Sequence, residues 1–145
     1  MTRFTRLGPL ALGAILVAAG TVSAEERPHK MSGTGQFVSA TDFVSEGIAT
    51  HLGRFHEAGS VQFSPTESPT VVQLDGWAIH TAANGDQVYE LISGQLDLLT
   101  GAGTATATYV GGTGRFANAK GSATISVQLL AGGAYEFTGE GTIDY

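Results

Sequence analysis

From Gly33 to the C-terminus, apolar and polar residues alternate with a period of two, and the three-to-four spacing of an amphipathic helix never appears. The pattern predicts an all-β chain. In Tyr135–Tyr145 one face carries Tyr135, Phe137, Gly139, Gly141, Ile143 and Tyr145, and the other carries Glu136, Thr138, Glu140, Thr142 and Asp144. Ser122–Leu130 repeats the alternation with Ala123, Ile125, Val127 and Leu129 on one side. In Thr104–Val110, threonines alternate with Ala105, Ala107 and Tyr109, and small inward residues there leave room in an interior.

Glycine-rich breaks join these segments. Ala131-Gly132-Gly133-Ala134 reads as a tight hairpin, and Asn84-Gly85 is a strong hairpin signal between Val71–Thr81 and Gln87–Leu98. Gly47–Phe55 is expected to pair with Ser60–Ser64 across a turn at Glu57-Ala58-Gly59, and Gly33–Ser39 supplies a first strand. About eight short two-faced strands make either a sandwich or a closed barrel. Glycines at Gly47, Gly76, Gly94, Gly103, Gly121, Gly139 and Gly141 favour an eight-stranded antiparallel closed barrel of calycin-like build, because a small barrel needs points without Cβ to coil and close its sheet.

The N-terminus follows other rules. Arg3 and Arg6 precede an apolar run from Leu7 to Gly20, and Val22-Ser23-Ala24 ends it with small residues. Residues 1–24 therefore read as a secretory signal peptide cleaved after Ala24, which makes the mature protein secreted or periplasmic. The run is short and broken by Gly8, Pro9 and Gly13, so stable membrane insertion is not expected, since a spanning helix needs about 20 apolar residues. Glu25–Ser32 is charged, contains Pro28 and lacks any period, which predicts a flexible leader over 25–32 and a barrel domain over 33–145.

Composition narrows the function classes. The 145 residues include 21 glycines and no cysteine, so the fold must hold by packing and hydrogen bonding, and thiol chemistry is excluded. The net charge of −6, which loss of the two leader arginines makes more negative, excludes a nucleic-acid partner. There is no Gly-x-Ser-x-Gly elbow, no phosphate loop and no two-histidine zinc helix, and Gly111-Gly112-Thr113-Gly114 reads as a turn. No cofactor and no metal is expected. His51 and His56 differ by an odd number, so a regular strand points them to opposite faces, and His29 falls in the expected leader.

The residues that invite a ligand role are Glu90, His80, Tyr109 and Ile92. Glu90 shares the more apolar face of its strand with Val88, Ile92 and Leu96. A carboxylate there is either a polar hook or acid/base group inside the barrel, or a mouth residue that reaches water or pairs with Arg54, Arg115 or Lys120. His80 points inward if Val72, Leu74 and Ala78 do, and outward if Val71, Trp77 and Ile79 line the core instead. Trp77, Phe37, Phe63 and Phe137 read most simply as core.

The segment Tyr109–Gly121, with its Gly-Gly-Thr-Gly-Arg-Phe core and Ala119-Lys120-Gly121, resembles the barrel superfamily of plant allene oxide cyclases and dirigent proteins, and more closely its secreted bacterial members. Ala49–Phe55 and Phe137–Ile143 look like the flanking strands of those members, so the likeness covers roughly 33–145. Physically, the glycine cluster makes a sharp connection and Phe116 is expected to plug the barrel end; the resemblance implies an eight-stranded antiparallel barrel with an apolar cavity, often trimeric in the plant members. The plant cyclase pocket includes a cysteine that this chain lacks. The expected function is that of a secreted barrel holding a small apolar ligand in its lumen. The alternatives are a structural or surface-interaction module with a filled barrel, and a cofactor-free isomerase or cyclase.

Overall fold

The computed structural model describes residues 25–145, and the expected signal segment 1–24 lies outside the described residues. Alternation builds eight strands: β1 (Arg27–Phe37), β2 (Asp42–Ala49), β3 (Gly53–Pro65), β4 (Val71–Ala82), β5 (Gln87–Asp97), β6 (Ala102–Gly112), β7 (Lys120–Leu129) and β8 (Ala134–Asp144). Each pairs antiparallel with its sequence neighbour, and β1 pairs with β8, closing an eight-stranded barrel with no free edge. Among the described residues, no helix is long and apolar enough to cross a membrane.

Alternate positions of the strands turn into the lumen. Phe55, Ala78, Val88, Tyr109, Ala123, Phe137 and Ile143 are all buried in one continuous core. Glycines leave room for the side chains of the adjacent strands: a Cβ on Gly139 would lie 2.6 Å from Cδ1 of its β7 partner Ile125 and 2.7 Å from Cγ of its β1 partner Met31. One end is stoppered by the short 3-10 turn Gly114–Phe116 between β6 and β7, where Phe116 is fully buried and its ring packs 4.8 Å from that of Tyr145.

Four expectations change. Residues Arg27–Ser32, expected to be part of a flexible leader, belong to β1 and pair with β8, with Met31 and Ser32 pairing with β2 as well, and they carry His29 into the core at 1% exposure. The turn expected at Glu57-Ala58-Gly59 is mid-strand; β2 and β3 instead reverse at Thr50–Leu52. His51 there adopts φ 74°, a left-handed conformation held by Arg115 Nη2 donating to the His51 carbonyl at 2.6 Å and by the His51 ring meeting the Pro28 carbonyl at 3.0 Å. Trp77, expected in the core, lies on the outside at 49% exposure, because β4 turns Leu74, Ala78 and His80 inward. Phe63 is only partly covered, at 38% exposure, since it stands near the open end of the barrel.

Candidate functional site

Inward parity on five consecutive strands sets a lateral row of polar side chains across the lumen. Ser45 on β2 is opposite Glu57 on β3, Glu57 is opposite His80 on β4, and Glu90 on β5 is opposite Tyr109 on β6. A bulge between Tyr89 and Glu90 shifts the β5–β6 register, so that Val110 is the unpaired extra residue and Tyr109 still faces inward beside Glu90. Glu57, His80, Glu90 and Tyr109 are all 9% exposed or less.

The side chains bond in a chain. Ser45 Oγ donates to Glu57 Oε2, His80 Nε2 lies 2.9 Å from Glu57 Oε1, and the same nitrogen lies 3.6 Å from Glu90 Oε1. The Phe55 ring stacks on His80 at 4.7 Å and 24°, fixing the plane of the imidazole. The serine bonds the acid and not the imidazole, so the order is that of an anchored ion cluster and not of an activated nucleophile.

Burial decides the charges. It opposes the charged imidazole of His80, but the Glu90 and Glu57 carboxylates outweigh it and push the group up to about 9. For Glu90, burial dominates; His80 offsets part of it and Glu57 adds to it, leaving the carboxyl raised to about 7. Burial also works against the Glu57 carboxylate, yet His80 and the hydrogen bonds from its neighbours hold it below the ordinary range. Near neutrality the cluster is therefore a Glu57 carboxylate and a His80 imidazolium beside a Glu90 carboxyl that readily takes or gives a proton. Tyr109 is pushed up by burial and then by Glu90, so it stays a phenol.

Below this row lies a second buried imidazole. His29 meets the Tyr109 ring edge-on at 5.5 Å, and neither ring nitrogen has a partner. Burial, then the nearby His80 charge, lower it to about 4, so it is neutral.

Above the row, the lumen is open. A cavity of about 100 Å³ has Glu57, His80 and Glu90 on its floor, Ile92, Ala105 and Ile125 along its walls, and Phe37, Phe63 and Leu129 towards the mouth. The mouth continues into an apolar rim, where Leu98 and Leu130 are exposed. A larger concavity of about 1010 Å³ is edged by exposed Thr34, Glu46, His56 and Glu136 and does not include the polar row.

The structure thus brings three of the four residues singled out in the sequence, Glu90, His80 and Ile92, to one cavity. Tyr109 is buried next to Glu90 but does not line that cavity. Glu90 is not a mouth residue: Arg115 instead sits 3.7 Å from Asp86, at the stoppered end. Glu57, Ser45 and His29 were not legible as site residues. The parity of Phe55, Val61 and Phe63 does place Glu57 inward, provided the β2–β3 turn is put at Thr50–Leu52. Glu57, His80 and Glu90 each present a donor atom within 4.8 Å of the others, a set able to hold a cation.

Comparison with protein-family models, with curated proteins and with solved structures found no match.

Proposed function

We propose that the barrel binds a small, mainly apolar molecule in its lumen, with one polar group of that molecule seated on the Glu57–His80–Glu90 floor. The observation that carries this reading is the cavity itself: an apolar shaft, open towards the rim, that ends on buried ionisable groups. A lumen packed solid, as a purely structural module requires, would leave no such space. At about 100 Å³ the cavity is well below the several hundred Å³ usual for drug-sized ligands, so the occupant is a small molecule or the end of a short chain. The resemblance of Tyr109–Gly121 to allene oxide cyclase and dirigent barrels supports the same reading, and the signal-like segment 1–24 is the reason to read the binder as an exported one. Native mass spectrometry of protein purified from its natural host, with a thermal-shift screen of short fatty acids, alcohols and phenolics, tests it. A one-to-one adduct and a stabilising ligand are expected; no adduct and no shift across the screen would overturn it.

A second reading, a cofactor-free isomerase or cyclase, draws on one further observation. Glu90, with its carboxyl at about 7, faces the cavity beside His80, so a proton can leave one group and return to another within one pocket. Turnover of a bound compound that Glu90→Gln abolishes while binding persists would favour this reading over simple binding.

A further inference from the structure

We propose that Glu57, His80 and Glu90 together hold one first-row divalent cation at the lumen floor. The donor atoms are already spaced for it. His80 Nε2 is 2.9 Å from Glu57 Oε1 and 3.6 Å from Glu90 Oε1, and donor atoms of all three residues lie within 4.8 Å of one another. Metal–ligand bonds of about 2.0–2.2 Å demand donor–donor edges of roughly 3–3.5 Å, so closure needs only a small inward movement of the Glu90 carboxyl. That carboxyl is the one with a free hand: Glu90 is 4% exposed, and its Oε2 has no hydrogen-bond partner. Ser45 engages the other oxygen of Glu57, leaving Oε1 to face the centre, as an outer-shell hydrogen bond orients a ligating carboxylate. The cavity above has room for the waters that would complete the coordination.

One imidazole nitrogen with two carboxylates suits Zn²⁺ or Mn²⁺ better than Ca²⁺, which prefers an all-oxygen cage. The cation would sit on the floor where the proposed ligand's polar group is seated, and titration with metal alone reads it without that ligand.

Calorimetric titration of untagged, chelator-dialysed protein with Zn²⁺ and with Mn²⁺, in buffers of differing ionisation enthalpy, reads stoichiometry and proton release together. One cation per chain is expected, with protons released on uptake, because ligating groups must be deprotonated to bind the metal. Glu90→Gln should weaken uptake at least about tenfold, whereas a His51→Ala/His56→Ala variant, which removes the surface imidazoles, should leave it unchanged. If Glu90→Gln fails to fold, Mn²⁺ broadening of imidazole resonances in the unmodified protein replaces it, with broadening expected at His80. No uptake at about 1 mM metal, uptake that survives Glu90→Gln, uptake lost in the surface variant, or broadening confined to His51 and His56 would each overturn the proposal.

Discussion

Glu57 on β3 and His80 on β4 stand directly opposite each other in the barrel ladder, with His80 Nε2 2.9 Å from Glu57 Oε1 and both side chains sealed from solvent. The pair is two members of a three-group cluster, since the same imidazole also faces Glu90 at 3.6 Å. A lone imidazolium or a lone carboxylate at this depth would be expensive; His80 and Glu57 are tolerated because each offsets the other's charge, and Glu90 by its proton and the adjacent imidazolium.

Removing the imidazole alone should therefore cost far more than removing the cluster. His80→Leu leaves two carboxyls facing each other without their cation, and a loss of about 3–5 kcal/mol is expected in urea unfolding. Adding Glu57→Leu and Glu90→Leu should restore most of it, because three apolar groups need no compensation. A His80→Leu protein within about 1 kcal/mol of the parent would show that the ion pair does not form.

Stability should fall between pH 6.5 and 9. His80 is raised from 6.5 to about 9, so the folded state holds a proton that the unfolded chain releases across that window. Its stabilisation is complete below 6.5 and is lost as pH passes 9, up to about 3 kcal/mol in all. Glu90 acts in the same sense at lower pH, its contribution fading between 4.5 and about 7, while His29, lowered to about 4, acts oppositely as pH falls below 6.5. Denaturant midpoints measured from pH 6 to 9.5 should decline, and His80→Leu should flatten the decline above pH 7.

The wall glycines should resist substitution more than their small size suggests. A Cβ on Gly76 would lie 2.0 Å from the Ser60 carbonyl oxygen and 2.8 Å from Val61 Cα, both backbone atoms of the paired strand. Gly76→Ala is expected to destabilise by about 2–4 kcal/mol, because β3 and β4 must separate locally. Thermal unfolding of the purified variant checks this.

Filling the shaft should separate binding from folding. Ala105 lines the cavity wall and is 6% exposed, so Ala105→Phe places a ring in the open space. A folded protein with a stability change within about 3 kcal/mol is expected, with affinity for any lumen ligand reduced at least about tenfold. Unchanged affinity would mean that the ligand binds elsewhere.

Much of this was readable in the chain itself. Strict alternation in Tyr135–Tyr145 and Ser122–Leu130 needs no tertiary knowledge, and the structure places Phe137 and Ile143 inside. Glu90 stood out because a carboxylate broke an apolar face. Glu57 did not, because Glu57-Ala58-Gly59 has turn-like composition, whereas the real reversal at Thr50–Leu52 puts a histidine in a left-handed conformation, a choice fixed by Arg115 from a distant part of the chain. His29 was hidden for a similar reason: nothing local marks Arg27–Ser32 as a strand, and only closure of the barrel between β2 and β8 makes it one. Trp77 shows the limit of reading size as burial, since in β4 both faces carry apolar residues and only the neighbouring strands decide between them.

The central claim is that His80 is a buried imidazolium on the floor of an apolar, ligand-accepting shaft. Nitrogen-15 NMR of the imidazole rings in chelator-dialysed protein, followed through pH and then through addition of a short aliphatic alcohol such as hexanol, tests both halves at once. His80 should remain protonated to about pH 9, and its ring resonances should shift with saturating one-to-one occupancy. A His80 ring that is already neutral at pH 7, or one that stays unmoved while hexanol binds, would contradict the account.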